Sequence, residues 1–437
     1  MKLALAAALA SLLAASPALA QSPAIPPAGE IVPREITWLA SRPSDGPVLS
    51  TVRQIADEYA AQHPGFKLDI VETPDRPSYL QKLETLAAAR QLPEFFDTDA
   101  TPFADKLRQQ GLMVDTAALL DSYGLTEQFR PVALNYDRFS DGSLYLIPLE
   151  FGMEVFWYNK AMFEAAGVTP PASLDELPAL CPKLAATGVL PVALDGVDGW
   201  PPQRMIAWYP FRLAGGDYLD KLKKGEAKLS DPIGVRTTEW LASFASNGCL
   251  ARDFSAQGYT DARDQFTQGK AAIYYMGTWE TEAMINEATQ AEAVRGNIDY
   301  FTLPLTADAT TGANEFFVNS GIGMAVGSTG FDPLVYDFVK FMLTRYSELY
   351  ANTGALSPMT YTPEKLPNDA PLYAKIVAEI PKLGALYAVP WDTQLDPKSN
   401  TVMQQQLTLL LQGNITAEQF RQTVDAAIAE NAPRFFK

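Results

Sequence analysis

Between Glu35 and Asp97 short strand-like runs alternate with amphipathic helical runs, and this rhythm limits the chain to a small set of folds. Ile36, Thr37, Trp38 and Leu39 read as a strand. Val48, Val52, Ile55, Ala56 and Tyr59 then recur at helical spacing up to His63, Pro64 and Gly65. Phe66, Leu68 and Ile70 alternate as a second strand, Leu80, Leu83, Leu86 and Ala87 mark a second helix, and Pro93 to Asp97 a third strand. A β-α-β-α-β order implies parallel strands joined by helical crossovers, hence an α/β fold. The same grammar returns later without repeating the sequence. Strands are expected near 190–194, 271–276 and 298–304, and helices near 202–214, 232–247, 261–268 and 279–289. A chain of 437 residues exceeds what one core usually serves, so two domains are expected.

Aromatic and β-branched residues fill 144–158, and Pro148 removes a ladder donor, so this stretch reads as a bent, extended segment leading into a short helix at Ala161 to Gly167. The segment around Tyr158, Asn159 and Lys160 resembles the interdomain crossover of bacterial solute-binding proteins. Phe266 to Glu280, Gly354 to Pro358 and the closing Gly413 to Ala429 helix, opened by a Thr416 to Gln419 capping box, strengthen the likeness. In order and spacing these segments resemble the carbohydrate-uptake branch of extracellular solute-binding proteins, similar in plan to maltodextrin- and glucose-binding proteins of ABC transporters. The resemblance implies a class II, two-lobed periplasmic-binding-protein fold, each lobe a mainly parallel sheet flanked by helices and joined by hinge crossovers. It places 35–148 plus 317–356 in the first lobe and 149–316 plus 357–437 in the second.

Residues 1–20 carry Lys2, an apolar Leu/Ala run and the small-residue pattern Ala18, Leu19, Ala20, which reads as a cleavable secretory signal. The run is short for a membrane span of about 20 apolar residues, and no cysteine near the cut offers a lipid anchor. A periplasmic location is expected, with 21–34, which holds four prolines, as a flexible leader. The formal net charge of −17 without a long basic run makes nucleic acid and anionic membrane poor partners. Cys181 and Cys249 are the only cysteines; an oxidising compartment favours a disulfide, the alternative being two buried thiols.

In the two-lobe plan ligands bind at the carboxyl ends of the strands. Candidates from the first lobe are Arg42, Asp97 and Asp99, with a surface ion pair as the competing role for Arg42 and helix capping for the two aspartates. Glu150 in the crossover is the next. Second-lobe candidates are Asp198 and Trp200 in a glycine-flanked loop, and Trp279, which matches the family's stacking tryptophan. Asn319 by the return crossover and Trp391 with Asp392 complete the set, packing beneath the loop being the alternative for Trp391. Trp208 reads as core, among Ile206, Phe211 and Leu213.

Such a set suits a hydroxyl-rich ligand, whose edges take planar polar partners and whose C–H faces take aromatic rings. The resemblance implies a monomeric binding component that delivers a sugar to membrane permease subunits, with no cofactor, metal or catalytic residue. Two other readings stand beside it: a secreted glycosidase or lyase using a carboxylate pair, and a binder of a polyamine or peptide on the same fold. The sequence holds no phosphate loop, zinc spacing or nucleophile elbow, and its sole histidine, His63, sits at a helix end.

Overall fold

The computed structural model describes residues 23–436 apart from 74, 362–369, 384–387 and 389; the expected signal segment lies outside the described residues. Two sheets organise the chain. The first contains β1 (Glu35–Ala40), β2 (Lys67–Glu72), β3 (Phe95–Thr98) and β4 (Leu146–Ile147). The second contains β5 (Gly152–Asn159), β6 (Leu190–Ala193), β7 (Ala271–Gly277) and β8 (Ile298–Phe301), with β9 (Val318–Asn319) paired to β5. The chain then returns as β10 (Gly323–Val326), and the first sheet has the order β2-β1-β3-β10-β4, the second β6-β7-β5-β8.

Helical crossovers produce the parallel pairs β1/β2, β1/β3 and β6/β7. The strands that carry the chain between lobes run the other way: β10 is antiparallel to β3 and β4, and β5 is antiparallel to β7, β8 and β9. In each sheet order the remaining strands therefore share one direction, as expected, with a single reversed crossover strand, β10 in the first and β5 in the second. A strand arriving from the other lobe is free of the helical return that a parallel neighbour requires. Pro148 falls in the gap between β4 and β5, where no ladder bond is needed.

Alternation along β1 sends Trp38 and Leu39 into separate cores on opposite faces of the first sheet. Against the Trp38 face packs the helix Pro333–Ala351, through Val335, Phe338 and Met342. The second lobe has one continuous core in which Trp208 meets Phe156, Tyr275 and Trp240 edge-on at 4.7–5.6 Å between ring centres. Its closing helix, Ala417–Phe435, starts with the expected box: Gln419 N donates to Thr416 Oγ1 at 3.2 Å and Thr416 N to Gln419 Oε1 at 2.9 Å.

The described part of the leader touches the first lobe at two points, Ile25 against its core and Arg34 bonded to Glu94 and Asp332. Three details depart from the sequence reading. Val318 and Asn319 pair with β5, and the return to the first sheet begins after them. Leu149 belongs to the first core and Leu356 to the second, so the crossovers interleave at the boundary. The helix expected over 279–289 is broken into a turn at Thr278–Glu280, the helix Thr281–Ile285 and a turn at Glu287–Thr289. Cys181 and Cys249 form a disulfide, Cα to Cα 5.0 Å, that ties the helix Glu176–Ala185 to the chain just beyond the helix Pro232–Ser246.

Candidate ligand-binding cleft

A cleft of about 940 Å³ opens between the lobes where β1, β3, β6 and β7 end. This is the carboxyl edge of the parallel pairs, where loops are free to present side chains while the strands hold their roots. Arg42, Asp99, Glu150, Asp198, Trp200, Trp279, Asn319 and Asp392 all line it. Asp97 and Trp391 do not.

The Arg42 guanidinium is the centre of the first-lobe wall. Its Nη1 donates to Glu150 Oε1 at 2.5 Å, its Nη2 to the Ile322 carbonyl, and its Nε lies 3.1 Å from Asp97 Oδ2. Burial opposes the charge on Arg42, but Asp97 and Glu150 outweigh it and hold the group above its ordinary pKa. Burial also raises Asp97 and Glu150, with Arg42 pulling both back. Arg42 thus forms a buried ion pair rather than a surface one. Asp97, fully buried, accepts from Trp38 Nε1 at 3.1 Å and Ser41 N at 2.8 Å, so it fixes the loop that carries Arg42 from behind. Neither aspartate caps the next helix; Thr101 does, accepting from Ala104 N. Asp99 instead pairs with Arg76.

Glycine makes the approach to Glu150 possible. Gly321 has φ +66°, and a Cβ there would fall 2.2 Å from Glu150 Oε1.

On the second-lobe wall Trp200 begins the helix Trp200–Ala214, and its ring centre is 6.2 Å from that of Trp279, the planes inclined at 55°. Trp279 leans on backbone bare of side chains: a Cβ on Gly277 would lie 1.9 Å from its ring and one on Gly152 3.0 Å. Its Nε1 donates to the Tyr259 hydroxyl at 2.8 Å, which in turn donates to Glu280 Oε1. Arg204, one helical turn after Trp200, places its guanidinium carbon 5.3 Å from the centre of that ring. It joins Asp392, Nη1 to Oδ1 2.7 Å, to Glu154 on β5, Nε to Oε1 3.1 Å. Asn319 donates to the same Glu154 oxygen at 2.7 Å. Trp391 is 3% exposed and stacks on Tyr218 within the core, its short helix presenting Asp392 to the cleft and the indole to the interior.

Across the cleft mouth Arg263 Nη2 reaches Asp45 Oδ2 at 2.9 Å and Arg76 N reaches Asp198 Oδ1 at 3.2 Å. The sequence reading passed over Arg76, Arg204, Tyr259, Arg263 and Glu280. Arg204 stands out in retrospect as a cation four residues after a tryptophan, followed by an uncharged run from Met205 to Phe211. Among the described residues no group of three or more His, Cys, Asp or Glu is placed to hold a metal ion.

A bacterial extracellular solute-binding protein pattern matches residues 43–345, well over half of the chain. The chain belongs to that family. Among its relatives is an ABC transporter extracellular-binding protein of Pyrococcus horikoshii, 28% identical over 37% of this chain and 36% of the relative. Another is the alpha-glucosides-binding periplasmic protein of Rhizobium meliloti, 27% identical over 58% of this chain and 59% of the relative. Both matches thus span less than two thirds of the relative's length. Among solved structures, a chitin oligosaccharide binding protein superposes with a TM-score of 0.78 at 21% identity, covering 93% of this chain and all of the other. That likeness concerns the fold. As a solute-binding protein the chain has its cleft where the two-lobe plan requires it, and no described helix is long and apolar enough to cross a membrane.

Proposed function

We propose that this protein is the periplasmic binding component of an ABC importer, capturing a mono- or oligosaccharide between its lobes and passing it intact to the permease. The observation that carries this reading is the pairing, in one cleft, of two inclined indoles with edges made of fixed carboxylate and guanidinium groups. Pyranose rings have apolar faces and hydroxyl rims, and the cleft offers rings for the first and planar, charged hydrogen-bonding groups for the second. The groups are held by partners behind them, so little ordering is left for the ligand to impose. Arg42, Asp99, Glu150, Asp198, Trp200, Trp279, Asn319 and Asp392 are the proposed contacts; Asp97 and Trp391 support them from within.

Capture requires only that the ligand bind the closed form better than the open one. The protein works in this scheme as a monomer, exported by its signal segment without a lipid anchor, and performs no chemistry on the sugar. Calorimetric titration with a panel of mono- and oligosaccharides, with product analysis of each mixture, tests it. Saturable binding at micromolar level with intact sugar recovered is expected, equivalent to about −8 kcal/mol. Cleavage products would assign the fold to an enzyme, and silence across the panel would remove the saccharide reading.

A further inference from the structure

The aromatic wall ends in a carboxylate with one oxygen unspent. Glu280 lines the cleft and is 6% exposed; its Oε1 accepts from Tyr259, while its Oε2 has no hydrogen-bond partner. Arg263 favours the Glu280 charge from nearby, but is committed to Asp45 at 2.9 Å and lies 3.6 Å from Asp264. The whole cleft leans the same way. Among the described residues eleven carboxylates and four guanidinium groups line it, with no lysine. All four cations are engaged: Arg42 by Asp97 and Glu150, Arg76 by Asp99, Arg204 by Glu154 and Asp392, Arg263 by Asp45.

We infer that the cleft selects a saccharide bearing a protonated amine, with Glu280 as its counter-ion and the Trp279 indole beside it. This rests on the saccharide reading above and narrows it. An ammonium group supplies donors to the free Oε2, gains from an adjacent indole face, and meets a field of matching sign, whereas an acidic sugar would find every guanidinium taken.

Burial, the largest influence, raises the Glu280 pKa to about 7; Arg263 and Tyr259 pull it down, Asp45 and Glu282 push it up. Tyr274 and Tyr350, both buried, also face this charge. A bound ammonium favours the ionised carboxylate, so amine binding expels a proton from any protein still protonated there. For an amine that stays protonated throughout, affinity then falls as pH drops below about 7, approaching tenfold per pH unit, and a neutral sugar lacks this slope.

The test is calorimetry of glucosamine oligosaccharides against their N-acetylated and glucose-based counterparts of equal length, at pH 7.5 and 5.5, in the native protein and in Glu280→Gln. The amine should bind at least about tenfold tighter than its counterparts at pH 7.5. That ratio should collapse toward one in Glu280→Gln whatever happens to absolute affinity, and in the native protein it should fall at pH 5.5 once the ligand amine's own protonation between the two pH values is allowed for. Equal binding of amine and neutral sugar, a preference that survives Glu280→Gln, or no amine binding overturns the inference. If neutral sugars still bind, only this narrowing falls; if none binds, the saccharide reading falls with it.

Discussion

Arg42 Nη1 and Glu150 Oε1 meet at 2.5 Å, joining the loop after β1 to the segment by which the chain leaves the first sheet. The Arg42 side chain is 3% exposed and also neutralises Asp97. Replacing it with methionine fills the space but strands two buried carboxylates. Arg42→Met should lower unfolding free energy by about 3–5 kcal/mol, read from chemical denaturation at pH 7.5. The deficit should shrink in acid, as the carboxylates that burial already biases toward the neutral form take up protons.

Trp279 lies against two glycines and is pinned through its Nε1. Trp279→Ala should weaken saccharide binding at least about tenfold, roughly 1.4 kcal/mol, and Trp279→Phe should lose less because a flat face remains. Calorimetry on both variants checks this; unchanged affinity in Trp279→Ala would take the indole out of the site.

The disulfide closes a separation of 68 residues within the second lobe. Chain-entropy reasoning gives about 4 kcal/mol for a loop of this length. The double variant Cys181→Ser, Cys249→Ser should unfold at correspondingly lower denaturant yet bind ligand with native affinity, since neither cysteine lines the cleft. Thiol titration of the unreduced, unfolded native protein should find no free sulfhydryl.

Asp137 is 1% exposed, and neither of its carboxylate oxygens has a hydrogen-bond partner. Burial first, then repulsion from Asp99 and Glu150, raises its pKa well above the ordinary value, with only Arg42 opposing. The folded state therefore holds this proton more tightly than the unfolded chain, and Asp137 detracts from stability as pH rises from about 4 toward its folded value. Asp137→Asn should stabilise the protein at pH 8 by about 1–3 kcal/mol and change it little at pH 4. Denaturation midpoints at the two pH values decide it.

Most strands and helices are legible in the sequence because local periodicity reports them. The helix over 279–289 is not, since turn preferences and the fit of Trp279 against Gly152 and Gly277 override a helical pattern. Strand direction in the crossovers depends on which lobe a strand arrives from, and nothing local encodes that. In the cleft, Arg42, Glu150 and Trp279 are legible as polar or aromatic residues just beyond strands. Asp97 looks alike in the sequence, yet it lies within β3, which turns its carboxylate toward Trp38 and Ser41, two residues before Asp99 reaches the cleft. Arg76 and Arg204 are hidden by the helices that carry them, because a cation in a helical stretch reads as a solvated side chain until its neighbours are known.

β10 occupies the middle of the first sheet, between β3 and β4, although more than two hundred residues separate it from β3 in the chain. No ribosome can hand over a finished amino-terminal half, because its central strand has yet to be made when residues 35–147 emerge. Pairing across so long a loop is slow, and β3 and β4 keep open backbone edges until it happens. Delay of that kind suits a polypeptide threaded through a narrow channel before it folds, and it predicts that truncation ahead of Gly323 yields aggregation rather than a smaller domain.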